Sequence, residues 1–301
     1  MKKSAQQAIT PEAITEAPVR VSEAKRFLRV FLGRGLVVFG MVIALIFIFT
    51  AIFGPLLAPY DPVVIHPVER LQNPSWQHWL GTDNFGRDTL SRLIHGAGNS
   101  LMVGVVAVGI AAVVGIIAGM LAGFFGGLIN IVIMRIVDAM MSFPMILLAL
   151  LIAGLLGSGL KNVMIALGVA MIPVYARLMC GQVLSIREND YIMAGRSMGS
   201  GNWRLMLRHI LPNSFPPLIV LVTMQIGSAI LAEAGLSYLG IGITPPDPSW
   251  GAMVNDGFKF LITNPLLSFV PGLAIMLVVF AFSMVGDGLR DTLDPRLRGT
   301  I

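Results

Sequence analysis

The chain carries little charge for its length. Only 12% of its 301 residues are Asp, Glu, Lys or Arg, whereas 55% are hydrophobic and the mean hydropathy is +0.81. A soluble domain typically has about twice that charged fraction to cover its surface. The composition therefore excludes an ordinary water-soluble protein and predicts that lipid surrounds most of the chain.

Cysteine is nearly absent as well. The one cysteine, Cys180, cannot form an intramolecular disulfide, and inside an apolar segment it is expected to be an ordinary buried residue. A cleavable signal peptide is not apparent, because the first apolar run begins only near Leu36 and is too long for the hydrophobic part of a signal. That run is predicted to be an uncleaved first membrane span.

Groups that carry chemistry are scarce inside the apolar segments. All four histidines fall in loops or at helix ends, and no lysine follows a glycine, so the chain has no G-x-x-x-x-G-K-[ST] phosphate loop. Arg135 and Asp138 are spaced to neutralise each other near the inner face. We predict that the chain is not an enzyme and binds no metal or cofactor itself. The charges in or near the spans form no catalytic or metal-binding set: Arg135, Asp138, Arg177, Glu233 and Asp287.

Six apolar segments are long enough to cross a bilayer, which takes about 20 residues. They cover approximately residues 35–60, 100–122, 128–156, 162–184, 213–233 and 267–289. The predicted fold is an all-α integral membrane protein with six transmembrane helices.

Basic residues are distributed unevenly between the two sides of the membrane. Cytoplasmic flanks of spans normally carry an excess of Lys and Arg, which predicts that both ends of the chain lie in the cytoplasm. The net charge of +5 is then explained by topology, and nucleic acid is not expected as a partner. With the N-terminus inside, only five of the 21 basic residues fall outside: Arg70, Arg87, Arg92, Lys161 and Lys259.

The second span carries small residues at four-residue spacing. Ala111, Gly115, Gly119 and Gly123 share one helical face, which is typical of a helix that packs closely against a neighbouring backbone. The glycines of this stripe are predicted helix-packing residues.

The segment between the fourth and fifth spans has two amphipathic halves. The first places Tyr191, Ala194, Gly195 and Met198 on one helical face. Residues 199–201 (Gly-Ser-Gly) break that helix, and Asn202 is placed to cap a second one, in which Trp203, Met206, Leu207 and Ile210 repeat the spacing. Such a projecting pair suits insertion into a groove of a partner or, alternatively, contact with the lipid surface.

This segment resembles the signature cytoplasmic loop of bacterial ABC importer permeases. The family pattern is Glu-Ala-Ala, three residues, Gly, nine residues, then Ile-x-Leu-Pro. The positions that match are Ala194, Gly199, Leu211 and Pro212, and those that depart are Met193, Gly195 and His209. Residues 208–213 (Arg-His-Ile-Leu-Pro-Asn) resemble the version in peptide and nickel permeases.

Three further blocks resemble the same subfamily, so that the resemblance extends over about residues 34–298. They are residues 80–92, residues 236–251 and residues 286–296. Gly98 stands where the family usually has an Arg, and Thr292 where Ala is usual. Within the first block, Asp88 and Arg92 are spaced as an ion pair that shapes the outer surface.

The resemblance implies one permease subunit of a type I importer in the bacterial inner membrane. A homologous permease would complete the pathway, two ATP-binding subunits would hold ATP and Mg, and an external solute-binding protein, periplasmic or extracellular, would deliver the substrate. Short peptides are the expected cargo, with nickel, metal chelates and glutathione as alternatives. An ion-coupled secondary carrier is disfavoured, because only Asp138 and Glu233 lie clearly within spans and no repeat is evident.

The resemblance also suggests roles for segments and residues. The segments are a cytoplasmic leader (1–33), the first span with a periplasmic segment (34–99), a five-helix permease core (100–289) containing the coupling loop (185–212), and a cytoplasmic tail (290–301). The residues expected to couple to the ATP-binding subunits are Tyr191, Ala194, Gly195, Ser197, Met198, Gly199 and Arg208. A proline-rich loop is hypothesised to meet the binding protein through Pro245, Pro246 and Trp250.

Overall fold

The computed structural model describes residues 23–293, so most of the predicted leader and the end of the tail lie outside the described residues. Regular structure in this range is helical, apart from one isolated β-bridge between Thr82 and Asp88. The helices are α1 (Glu23–Leu32), α2 (Gly35–Leu57), α3 (Thr89–Phe125), α4 (Gly127–Met141), α5 (Met145–Leu156), α6 (Leu160–Arg187), α7 (Asp190–Ser197), α8 (Asn202–Leu205), α9 (Leu211–Tyr238), α10 (Trp250–Phe258) and α11 (Leu266–Leu293).

Counting the bent pair α4–α5 as one, the described residues contain six apolar segments of membrane-spanning length, as the sequence predicts. The helices α2, α3, α6, α9 and α11 are each long and apolar enough to span a membrane, and the bent pair α4–α5 supplies the sixth segment. With the N-terminus inside, as the basic residues predict, α7 and α8 lie on the cytoplasmic side and α10 on the outer side.

The third span differs from the single helix predicted over residues 128–156. It is divided into α4 and α5, whose axes are bent by 92°. Pro144 stands directly before α5. Proline lacks a backbone N–H and keeps the residue before it, Phe143, out of the helical region, so a continuous helix cannot form there.

The second span begins earlier than predicted. Asp88 caps α3, because its Oδ2 accepts a hydrogen bond of 2.7 Å from the backbone N–H of Ser91. A helix of 37 residues is about 55 Å long. Since a bilayer core is about 30 Å thick, the first turns of α3 extend beyond the membrane on the outer side.

The helices α3 and α6 form the centre of the bundle, and the glycine stripe lies between them. A Cβ atom on Gly115 would lie 2.5 Å from Cβ of Tyr175, and one on Gly119 would lie 2.3 Å from the backbone oxygen of Ala176. At Gly123 it would meet Cβ of Val183 at 2.7 Å. The two backbones therefore approach more closely than any residue with a side chain would allow.

The first span lies at the edge of the bundle. The helix α2 packs against α3 and α11, where Gly40 faces Met284. An ion pair between Arg34 and Asp291 joins its cytoplasmic end to α11. The opposite face of α2 exposes large apolar side chains, among them Leu45 and Phe49, which suits contact with lipid.

Candidate functional site

The cytoplasmic loop forms a short helix, a glycine turn and a second helix. The backbone N–H of Ser200 donates to the carbonyl of Gly195 (3.0 Å) and closes α7. Gly199 has φ of +78°, a conformation that glycine adopts at little cost and that L side chains rarely adopt. The break predicted for residues 199–201 is therefore present. Asn202 does not act as a cap, because Gly201 holds the N-cap position.

The exposed face of α7 differs in one respect from the predicted one. Tyr191 and Met198 are exposed at 47% and 80%, and Ala194 and Ser197 are also exposed. Gly195, however, is buried, and a Cβ there would meet Cδ2 of Leu205 at 3.1 Å. Gly195 therefore does not lie on the exposed face of α7, where it was predicted. It faces α8 and, having no side chain, lets the two helices lie close together.

The second half of the loop does not keep the predicted register. A π-helical turn over Met206–Ile210 joins α8 to α9. Met206 and Ile210 are fully buried, whereas Trp203 and Leu207 are 64% and 52% exposed. The predicted common face of these four residues is wrong, because packing against the bundle buries Met206 and Ile210 together with Leu205 and leaves Trp203 and Leu207 outside. Arg208 is exposed, as a docking role requires.

The loop is fixed to the cytoplasmic ends of the central helices. Arg196 of α7 lies over the ring of Phe124, 5.1 Å from its centroid. Arg187 donates to the carbonyl of Gly123 (2.9 Å). A hydrophobic cluster completes the attachment and comprises Met120, Phe124, Met179, Val183, Ile186, Ile192, Leu205, Met206, Ile210 and Leu218. These contacts join α7 to the cytoplasmic ends of α3, α6 and α9.

In the outer proline-rich loop, one of the three predicted contact residues is not on the surface. Pro245 and Pro246 are exposed, but Trp250 is fully buried. Its indole N–H donates to the carbonyl of Leu93 (2.9 Å), and its ring packs edge-on against Phe47 at 5.5 Å. Trp250 therefore fastens α10 to α2 and α3 and presents no surface to a partner.

The charged residues of the outer surface pair differently from the prediction. Arg92 lies 3.5 Å from Asp83 and donates to the carbonyl of Pro62 (2.9 Å). Asp88 instead accepts hydrogen bonds from Ser91 and lies 2.9 Å from Nδ1 of His78. The predicted Asp88–Arg92 pair is wrong, because capping α3 turns the Asp88 carboxylate away from the fourth residue of the helix.

Two groups of polar residues lie within the spans. Glu233 is fully buried and accepts hydrogen bonds from the hydroxyls of Ser100 (3.2 Å) and Ser237 (2.6 Å). Asp138 forms its ion pair with Arg177 of α6; the expected pairing with Arg135 is wrong. Local spacing does not indicate the Ser100–Glu233 or the Arg177–Asp138 contact, because each joins distant parts of the chain. Ser237, in contrast, lies one helical turn after Glu233.

No group of three or more His, Cys, Asp and Glu side chains within residues 23–293 is arranged to hold a metal ion. A cavity of about 640 Å³, open to the surface, lies between the cytoplasmic ends of α6, α9 and α11. Its lining mixes apolar and polar side chains, among them Leu178, Gln182, Asn213, Met224 and Arg290.

Two known protein families match this chain, one in its N-terminal segment and one in its C-terminal two thirds. The family described as "Binding-protein-dependent transport system inner membrane component" matches residues 115–299. The "N-terminal TM domain of oligopeptide transport permease C" matches residues 22–74. The first match covers more than half of the chain and includes the coupling loop.

Individual relatives are similar over nearly their whole length. The dipeptide transport system permease protein DppC of Alkalihalophilus pseudofirmus is 43% identical over 263 residues, 87% of this chain and 86% of that protein. The glutathione transport system permease protein GsiD of Escherichia coli O6:K15:H31 is also 43% identical, over 274 residues and 91% and 90% of the two chains.

A solved structure supports the fold. A chain of the MetNI methionine ABC transporter, in an inward-facing conformation, superimposes with a TM-score of 0.57 at 20% identity and covers 68% of this chain and 97% of that one. The resemblance seen in the cytoplasmic loop and the six-span fold are thus confirmed. This chain belongs to the binding-protein-dependent transport system inner membrane components and is a permease subunit of an ABC importer in the inner membrane.

Proposed function

We propose that this permease imports short peptides together with a second, homologous permease subunit. Two relatives that are each 43% identical support this cargo, one named for dipeptides and one for glutathione, itself a tripeptide. Nickel and metal chelates are the less favoured cargo.

The coupling loop is proposed to dock on an ATP-binding subunit. The observation that carries this proposal is that large apolar side chains of the cytoplasmic loop are exposed, namely Tyr191, Met193, Met198, Trp203 and Leu207. An exposed apolar surface of this kind marks an interaction site. The coupling residues Tyr191, Ala194, Ser197, Met198, Gly199 and Arg208 are all exposed at or beside it.

Energy for transport is proposed to come from the partners. The sequence contains no phosphate loop, so ATP and Mg are bound by two ATP-binding subunits and this chain has no catalytic activity of its own. Closure of those subunits on ATP moves α7, and the attached ends of α3, α6 and α9 shift the permease between inward-open and outward-open states.

An external binding protein is proposed to deliver the peptide at the outer surface. Pro245 and Pro246 remain exposed there, next to the buried anchor Trp250. A loop held in place by such an anchor presents a fixed surface to a partner, with little ordering entropy lost on binding.

The first experiment is purification of the tagged chain from gently solubilised native membranes. The expected result is co-purification with a second permease and P-loop ATPases, and uptake of a radiolabelled dipeptide by the reconstituted complex only with MgATP and the binding protein. Recovery of this chain alone, with uptake driven by an ion gradient, would contradict the proposal. Competition by unlabelled glutathione or nickel distinguishes the alternative cargoes.

A further inference from the structure

The membrane-spanning helices expose two kinds of surface. On the outer face of α3 the exposed side chains are apolar, for example Met102, Val105 and Val113. The helix α6 is the most buried of the long spans, and its exposed positions have a different character. In the half of α6 that starts at Val174 they form one stripe, termed here the α6 stripe, which comprises Val174, Arg177, Gly181, Leu184 and Ser185.

The α6 stripe contains one member of a charged pair that lies within the spans. Arg177 pairs with Asp138 of α4, and their side chains are 53% and 49% exposed. Counting from Arg187 at the end of α6 and from Gly127 at the start of α4, both residues lie about 15 Å from the cytoplasmic ends of their helices. Both residues therefore lie inside the predicted spans, residues 162–184 and 128–156.

An ion pair at this depth does not suit a lipid-facing surface. Charged side chains in spans are strongly disfavoured in hydrocarbon, and they almost always face the bundle interior or a water-filled cavity. Since half of each side chain is exposed on this subunit, the α6 stripe must face water or protein.

The stripe also borders open space. Leu178 and Gln182, which adjoin it on α6, line the cavity of about 640 Å³ at the cytoplasmic ends of α6, α9 and α11. Asn213 and Arg290 add polar atoms on the far side of that cavity. The cavity thus adjoins one edge of the α6 stripe, and the charged pair lies at its other edge, towards α4.

We propose that the α6 stripe lines the translocation pathway and that Asp138 and Arg177 bind the charged ends of a peptide zwitterion in transit. The Asp138 carboxylate takes the terminal ammonium group, and the Arg177 guanidinium takes the terminal carboxylate in its planar fork. The inference rests on the proposed importer function. The peptide must separate Asp138 from Arg177 before it can pair with both. The free energy lost with that ion pair offsets part of the gain, so binding remains weak enough for release, as conduction requires.

Water exposure of the stripe is tested by cysteine labelling. Replacing the single cysteine by Cys180→Ala removes the only thiol of this chain, and labelling is read on this chain after it is separated from its partners. Val174→Cys on the stripe is compared with Val113→Cys on the apolar face of α3, since both positions are exposed and lie at similar distances from the cytoplasmic ends of their helices. The reagent is a charged, membrane-impermeant methanethiosulfonate, applied to inside-out vesicles that contain the assembled transporter.

Val174→Cys is expected to react at least about tenfold faster than Val113→Cys, because a charged reagent enters water-filled space but not hydrocarbon. A dipeptide added from the cytoplasmic side should slow the reaction. Equal, slow reaction at both positions would show that lipid or a neighbouring subunit covers the stripe, and the inference would be overturned.

The charged pair is tested by the double variant D138N/R177Q, which keeps both shapes and leaves no unpaired charge in the span. Uptake of a zwitterionic dipeptide is expected to fall by about fivefold or more, because both charge-assisted contacts are lost. The control Lys161→Gln removes an exposed charge at the outer end of α6 and should retain uptake. Unchanged uptake in D138N/R177Q would overturn the inference.

Failure of the proposed function is recognised separately. The wild-type chain would then not co-purify with ATP-binding subunits or transport a dipeptide, whereas labelling of Val174→Cys would still report whether the α6 stripe faces water.

Discussion

Single glycines determine how closely the central helices approach. A methyl group on Gly119 would lie 2.3 Å from the Ala176 carbonyl oxygen. We expect Gly119→Ala to lower the unfolding free energy by about 1–3 kcal/mol, because α6 must move away. The measurement is thermal unfolding of the purified protein in detergent.

The matched control for this substitution lies on the same helix. Gly109 has no atom within 4 Å of its Cβ position, so Gly109→Ala should leave the melting temperature unchanged or slightly raised, since alanine favours helix over glycine. Equal melting temperatures for the two variants would contradict the close packing of α3 on α6.

Ser237 connects the buried glutamate to the outer loop. Its hydroxyl donates to Glu233 (2.6 Å) and accepts from the backbone N–H of Ile243 (3.1 Å). We expect Ser237→Ala to cost about 1–3 kcal/mol, because a buried N–H and a buried carboxyl group each lose a partner. Thermal unfolding measures this loss. The half-buried Ser228 on the same helix provides the control, and a Ser228→Ala variant equally destabilised would argue against the network.

The coupling helix α7 depends on the turn that ends it. We expect Gly199→Trp to leave membrane insertion intact but to abolish transport, because a bulky side chain is strained at φ of +78° and would occupy the docking surface. Uptake by the reconstituted complex and co-purification of the ATP-binding subunit are the two measurements.

Gly199→Asn separates strain from loss of surface. Asparagine tolerates positive φ better than most residues, and the position is open to solvent, so this variant should retain most of the uptake. Normal uptake by a stably expressed Gly199→Trp variant would rule out the docking role.

Helices and breaks could be predicted from the sequence where residues close together in the chain determine them. The spans follow from apolar length, and the break at residues 199–201 follows from glycine. The bend between α4 and α5 has a local cause in Pro144, yet proline also occurs inside α2, α6, α9 and α11 without dividing them. Whether a proline ends a helix thus depends on the neighbours that accommodate the unpaired backbone groups.

At the scale of the whole molecule, α2 lies at the edge of the bundle, with one face against protein and the opposite face towards lipid. Phe47 packs on the buried Trp250, whereas Phe49 is 53% exposed. We expect Phe47→Ala to lower the unfolding free energy by about 2 kcal/mol or more through lost packing. Phe49→Ala should have little effect, since lipid fills the space. Equal destabilisation, measured by thermal unfolding, would contradict this placement of α2.

The sequence by itself determined the membrane environment, the number of spans, the small-residue stripe and the family to which the chain belongs. These properties depend on composition and on spacing within one segment, which local rules describe. Tertiary structure alone decided that Trp250 is buried, that Gly195 faces α8, and that Asp138 pairs with Arg177. Each of these outcomes depends on which helices lie side by side, and the packing of the whole bundle selects among partners that local spacing makes equally available.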